Sequence, residues 1–357
     1  MSEPRELLQR LVAFPSVAGR PNGEIAGFVR GWLSERGVAC DEVAGDGGRV
    51  NVLARRGPAG VAGVMLAAHM DVVPADADGW SGDPWRLERR GDRLAARGSA
   101  DMKGFLACAM VAIAGAEELS RPLHLAVSTD EEIGCVGVRD LLPAVQALPA
   151  LPFACVVGEP TGMRLVTAHK GKLAFQATLR GSARHSSQAP LADNAVEHAA
   201  ELVLALRDRG RELAASGRRD DRFAIPHSTI SVGPIHGGVA LNVVPDRCTV
   251  EFELRNLPGD DAASLLPDTG PAELEQLAAY PALDGDPRPF DGLIDAEPGD
   301  AIDFGTEAGL YAQLGIATAV CGPGQIADAH RADESIEIEQ LERCDAVLAQ
   351  LVAGLRG

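Results

Sequence analysis

The sequence predicts an α/β fold into which a second, smaller domain is inserted. Three observations carry this expectation. Short apolar runs at 63–70, 123–128 and 153–157 read as buried strands. Helical patterns at 4–14, 23–36, 102–119 and 135–147 alternate with them, as a sheet covered by helices requires. From residue 170 the order changes to strand, helix, strand, strand, short helix, strand, which is the ferredoxin-like arrangement. At 357 residues the chain is long enough for two domains. The expected division is 1–169 for the first part of the larger domain, 170–283 for the insert and 284–357 for the second part.

Each element has a local reason. The first helix places Leu7, Leu8, Leu11 and Val12 on one face; the second places Ile25, Phe28, Val29, Trp32 and Leu33, and Gly37 stops it. Strands follow at 39–43 and 49–55. The strand at 63–70 runs into Ala67-Ala68-His69-Met70-Asp71-Val72-Val73-Pro74 and then a polar loop at 76–85. The helix at 102–119 is small and apolar almost throughout. In the insert, strands are expected at 172–180, 227–234, 247–255 and 273–283, with a helix at 190–208. A short helix at 259–266 is followed by Pro267 and Gly270. The chain closes with a helix at 337–355.

Composition narrows the function. Acidic residues outnumber basic ones 51 to 33, a net charge of −18, which argues against nucleic acid or an anionic membrane surface as the main partner. The seven cysteines form no C-x-x-C pair and sit largely in apolar runs, as buried thiols of a reducing compartment do. Any metal must therefore be held by histidine and carboxylate. The charged, amphipathic first residues lack the apolar core of a signal peptide, and no apolar stretch reaches membrane-spanning length. The expected compartment is the cytoplasm.

Polar groups gather where strands end. His69 and Asp71 lie two apart, so an extended chain points them the same way. A metal on His69 with Asp71 orienting the ring would satisfy both; a core histidine beside an acid fits the triplet equally well. Asp101 stands before the long helix, as a helix cap or a metal carboxylate. Asp130-Glu131-Glu132 follows the strand at 123–128. A cation would relieve the repulsion among these acids; a solvated loop is the alternative. Glu159 closes the strand at 153–157, where Gly158 and Pro160 also fit a surface turn. His330, after Cys321-Gly322-Pro323-Gly324, read alone is a loop histidine. Together these residues offer ligands enough for two ions sharing one carboxylate, a pair able to clamp both oxygens in hydrolysis. Ser99 and Ser186 lack the strand–turn–helix setting of a nucleophilic serine.

His69-Met70-Asp71-Val72-Val73-Pro74, Gly98-Ser99-Ala100-Asp101-Met102-Lys103-Gly104, Asp130-Glu131-Glu132 and Gly158-Glu159-Pro160-Thr161 occur in that order, with His330 beyond them. They resemble the signature motifs of the acetylornithine deacetylase / succinyl-diaminopimelate desuccinylase family of zinc amidohydrolases. The resemblance covers almost the whole chain. It implies a zinc-peptidase-like catalytic domain with an inserted ferredoxin-like domain that forms a homodimer. It implies two Zn2+ ions, replaceable by Co2+ or Mn2+. One would be held by His69, Asp101 and Glu159, the other by Asp101, Glu132 and His330, with Asp101 bridging. Asp71 would orient His69, and Glu131 would be the general base. A cis peptide is implied at Asp101–Met102.

Further residues come from the same resemblance. His185, in Gly181-Ser182-Ala183-Arg184-His185-Ser186-Ser187, matches the histidine that reaches a neighbouring active site across the dimer and stabilises the oxyanion. Asn242, in Gly237–Pro245, matches a substrate contact, and Arg255 a position that binds the substrate α-carboxylate, for which a guanidinium fork is suited. Read without the resemblance, these are a polar hairpin residue, part of a glycine-rich turn and an exposed strand-end arginine. The segments at 169–173, 304–310 and 321–330 resemble the branch that removes acetyl from N2-acetyl-L-ornithine in arginine biosynthesis, and Glu307 is a candidate contact for the substrate amine. The segments around 259–272 and 284–300 depart from the family pattern in being shorter and richer in proline and glycine. The alternatives are a deacylase of another N-acyl amino acid, N-succinyl-diaminopimelate included, a metallodipeptidase, or a metal-stabilised binding protein without catalysis.

Overall fold

A computed structural model describes residues 3–75 and 79–356; residues 76–78 of the expected polar loop lie outside the described residues. The chain forms two compact units. One comprises Met1–Thr167, Gly285–Asp300 and Thr306–Gly357, the other Ala168–Asp284 with Ala301–Gly305.

The first unit is built on a six-stranded sheet in the order Ala39–Ala44, Val50–Arg56, Leu123–Ser128, Val64–His69, Ala154–Val157, Ala317–Val320. The last four strands are parallel, and the first two add to one edge antiparallel. Every residue of Val64–His69, Leu123–Ser128 and Ala154–Val157 is buried. Cover on both faces is why these strands read as continuous apolar runs without alternation. Helices Glu3–Val12, Gly23–Ser34, Gly104–Ala114 and Ile338–Gly354 send Leu8, Leu11, Ile25, Val29, Leu106, Leu341 and Leu348 into one core with the sheet. Truncating such a leucine to alanine costs about 2–5 kcal/mol.

The long apolar helix starts at Gly104 and ends at Ala114, inside its expected span of 102–119. Ser99–Lys103 forms a wide turn instead, with Asp101 in an extended conformation (φ −123°, ψ 98°) and a cis peptide between Asp101 and Met102. Asp101 therefore does not cap the helix. Gly158 is required by close approach: a Cβ there would lie within 2.0 Å of the Phe105 ring. A small sheet absent from the sequence reading joins Glu88–Arg90, Arg93–Ala95 and Ser335–Glu337. It lays the residues after Ala95 alongside those before Ser335.

The second unit is a four-stranded antiparallel sheet in the order Thr229–Gly237, Arg247–Asn256, Gly171–Arg180, Glu273–Tyr280. Numbered along the chain this is 2-3-1-4, the ferredoxin-like order. Arg247–Asn256 alternates strictly, with Cys248, Val250, Phe252 and Leu254 buried, and packs with Ala199, Leu202 and Leu206 of helix Ala195–Ser216. That helix begins at Ala195 because the Asn194 side chain accepts the Val196 N–H as a cap. The expected helix at 259–266 is only a single 3-10 turn, Ala262–Leu265; Pro267, two residues on, cannot extend it. Among the described residues no helix is long and apolar enough to cross a membrane.

Candidate metal centre

The polar groups of the first unit converge at the carboxyl ends of its parallel strands, where open α/β sheets gather ligands. His69 is the last residue of its strand. Glu131 and Glu132 follow Leu123–Ser128, and Glu159 follows Ala154–Val157. Asp101 stands in the turn before Gly104–Ala114, and His330 follows the last strand of the sheet.

Asp101 is shared. Its Oδ1 lies 3.1 Å from His69 Nε2 and its Oδ2 3.1 Å from His330 Nε2. Glu159 Oε1 lies 3.7 Å from His69 Nε2, and the Glu132 carboxylate lies 2.9 and 3.0 Å from His330 Nε2. Two groups of three thus meet at one carboxylate: His69 with Glu159, and His330 with Glu132. Glu131 groups with His69 and Glu159, all three offering ligand atoms within 4.8 Å of one another. His69, Asp101 and Glu132 group in the same way. The His69 half is buried, whereas the His330 side chain is 49% exposed.

So dense a set of acids is held only against positive charge. Burial pushes Glu131 up to about 8, with Glu132, Glu307 and Asp71 adding to the shift and His69 opposing it. Burial also raises Glu159 well above the carboxylate range, and raises Glu132, in both cases with Asp101 as the next cause. Asp101 is lowered: burial opposes its charge, but the His330 and His69 rings outweigh it. Hydrogen bonds to Asp101 and Glu132 raise His330 to about 10. His69 is raised well above its usual value against the effect of burial, by Asp101 and Asp71. Imidazole nitrogens and carboxylate oxygens face one another here at 2.9–3.1 Å, where a divalent cation would serve as their common partner. The N and O donors fit zinc, cobalt or manganese.

Asp71 does more than the sequence conveys. His69 Nδ1 donates to its backbone carbonyl at 2.9 Å, while the nearer carboxylate oxygen lies at 3.5 Å. The two carboxylate oxygens accept the N–H groups of Glu131 and Glu132, each at 3.2 Å. Asp71 thus fixes the His69 ring through its main chain and the paired glutamates through its side chain. Glu307 is buried, its Oε1 accepts the Ser128 hydroxyl at 2.5 Å, and burial lifts it to about 7. Nothing in the sequence assigns a role to two further residues of this unit. Glu334 accepts the N–H groups of Ala100 and Asp101, and Arg97 pairs with it.

The second unit carries His185, Asn242 and Arg255. A bridge between His185 and Val243, with Ser186 N donating to Asn242 O at 3.0 Å, brings the first two together. Both are exposed. His185 Nδ1 accepts the Ser187 N–H at 3.2 Å, so in the neutral ring the proton is on Nε2. Arg255 is half-buried; its Nε donates to Glu253 at 3.0 Å and its NH1 to the Tyr280 hydroxyl at 2.7 Å.

Nitrogen and oxygen donors around a shared carboxylate, with a further carboxylate beside them, define a metal-dependent hydrolase. The chain belongs to the peptidase family M20/M25/M40, whose pattern matches residues 65–354. It is 34% identical to an acetylornithine deacetylase of Myxococcus xanthus over 99% of this chain and 97% of that one. It is 32% identical to another of Edwardsiella ictaluri, over 97% and 96%. In fold it is similar to an M20 family metallo-carboxypeptidase from Sulfolobus solfataricus, with a TM-score of 0.83 and 20% identity over 99% of both chains.

Proposed function

We propose that this chain hydrolyses N2-acetyl-L-ornithine to L-ornithine and acetate, the deacetylation used in arginine biosynthesis, with two zinc ions as cofactor. The observation that carries the reading is Asp101 shared between His69 and His330, with Glu131 grouped beside His69. The names of the full-length relatives support the substrate. His69, Asp101 and Glu159 would hold one ion, and Asp101, Glu132 and His330 the other. When bound, the metal supplies Lewis acidity toward the amide carbonyl and toward water.

This chain's residues do the rest. The Glu131 carboxylate takes a proton from the attacking water and returns it to the leaving amine. Asp71 keeps the His69 ring in one tautomer and holds Glu131 and Glu132 by their N–H groups. His185 of a second subunit donates Nε2–H to the oxyanion. Arg255 binds the substrate α-carboxylate with its guanidinium fork, which Glu253 and the Tyr280 hydroxyl hold in place. Asn242 contacts the acyl amino acid, and Glu307 bears on recognition of the amine. A homodimer through the inserted domain is supported by the exposed apolar side chains Val196, Leu204 and Ile235 of that unit. Seven free cysteines, six of them buried, support a cytoplasmic location.

The test is a substrate panel on the zinc- and cobalt-loaded enzyme. It comprises N2-acetyl-L-ornithine, other N-acetyl amino acids, N-succinyl-diaminopimelate and dipeptides. Acetylornithine is expected to give the highest kcat/KM. A higher value for another acyl amino acid or a dipeptide replaces the substrate. Inactivity toward all of them with two metals bound leaves a binding protein.

A further inference from the structure

We propose that Glu334 is a positioning residue for the bridging carboxylate, setting where Asp101 stands between His69 and His330. The inference rests on the metal-centre reading above. Glu334 Oε1 accepts the N–H of Ala100 at 2.9 Å and of Asp101 at 3.1 Å. Its Oε2 accepts from Arg97 NH1 at 2.6 Å. Both oxygens are thereby used within the protein, so Glu334 acts on the centre through Asp101 and not as a ligand.

Three features make this more than a fastening. Glu334 is wholly buried, and a buried carboxylate needs a paired charge. Arg97, itself 3% exposed, supplies that charge; it is held by the Pro74 carbonyl at 3.2 Å and by the Trp80 ring 5.1 Å from its guanidinium carbon. Glu334 also lies four residues after His330. One short segment therefore grips Asp101 at both ends, its carboxylate through His330 Nε2 and its main chain through Glu334. Finally, the Glu334 carbonyl accepts the Ala96 N–H at 3.0 Å, continuing the pairing of Arg93–Ala95 with Ser335–Glu337 up to the turn that carries Asp101. Asp71 uses the same device on Glu131 and Glu132. The adjoining N–H groups of Ala100 and Asp101, and those of Glu131 and Glu132, are thus each caught by one buried carboxylate.

The test uses the full-length protein stripped of metal and titrated with Co2+, read by calorimetry and by visible absorption. Glu334→Asp keeps the charge opposite Arg97 but shortens the side chain by one methylene, so the clamp on both N–H groups is lost. It is expected to weaken Co2+ binding about 10–100-fold and to change the cobalt spectrum. The pair Arg97→Gln with Glu334→Gln keeps an acceptor for both N–H groups without the ion pair, and is expected to restore wild-type affinity. If Glu334→Asp does not fold, Arg97→Gln with Glu334→Ala removes clamp and charge together and is expected to show the same loss of affinity. Wild-type affinity and spectrum in a folded clamp-deficient variant overturn the proposal, as does loss in the Gln/Gln pair equal to that in the clamp-deficient protein. A wild-type protein that takes up no Co2+ overturns the metal-centre reading itself, a separate result.

Discussion

The two ends of the central sheet both take titratable groups out of water and treat them in opposite ways. At the carboxyl ends stand His69, Glu131, Glu132 and Glu159, and at the start of the strand Leu123–Ser128 stands His124, 5% exposed. Neither His124 ring nitrogen has a hydrogen-bond partner, and burial, with Arg55 adding, pushes it down to about 4. His69, more deeply buried, is pushed up instead. Desolvation acts against charge in both; carboxylate partners decide the sign. Facing acids make one end a site for a cation, whereas at the other end Arg55 is the charged neighbour and His124 stays neutral.

That contrast breaks first at Asp101, the group both histidines share. Asp101→Ala is expected to reduce bound metal below one per chain by elemental analysis and to take turnover below detection. A variant retaining two metals ends the bridging assignment. Next is Glu131→Gln, which keeps the shape and removes the base. Its kcat is expected to fall about 10²–10⁴-fold with metal content unchanged. Full activity in that variant would remove Glu131 from the mechanism. Asp71→Ala leaves the Glu131 and Glu132 N–H groups without their acceptor. Metal affinity is expected to drop about 10–100-fold, measured by Co2+ titration, and an unchanged affinity would reduce Asp71 to a bystander.

The same contrast explains what could be read from the chain. A buried strand must be apolar, so an acid or histidine at its end stands out; His69, Glu131, Glu132 and Glu159 are marked as candidates on that ground, and the family resemblance decides each against its plain structural alternative. Asp101 and His330 lie off the strands: read alone, Asp101 is open between a helix cap and a metal carboxylate and His330 is a loop histidine, and the family resemblance is what gives each its ligand role. Glu334 and Arg97 were not visible. Their meeting depends on three-residue strands, Arg93–Ala95 and Ser335–Glu337, too short for a hydrophobic period and about 240 residues apart. The side-chain role of Asp71 was hidden for a like reason, since nothing local tells which distant N–H groups a carboxylate will meet. In the insert, the order of elements was legible, but the helix start at Ala195 turned on the single cap Asn194, and Pro267 reduced the last helix to one turn.

The smallest expected effect lies at the start of the sheet. A histidine of ordinary pKa 6.5 in the unfolded chain, held at about 4 in the fold, binds protons more readily when unfolded. Its neutral burial therefore contributes stability fully present above about pH 6.5 and lost as pH falls toward 4. Between pH 7 and pH 5 this one group removes about 2 kcal/mol, close to one and a half pKa units of linkage. Urea unfolding of the metal-loaded protein at both pH values, for the wild type and for His124→Leu, isolates the term. His169, also buried and pushed down to about 4, is common to both proteins and cancels. The variant is expected to lose about 2 kcal/mol less than the wild type on acidification. Equal losses would mean that His124 finds a partner for its proton inside the fold, and the two ends of the sheet would then differ in less than their charges.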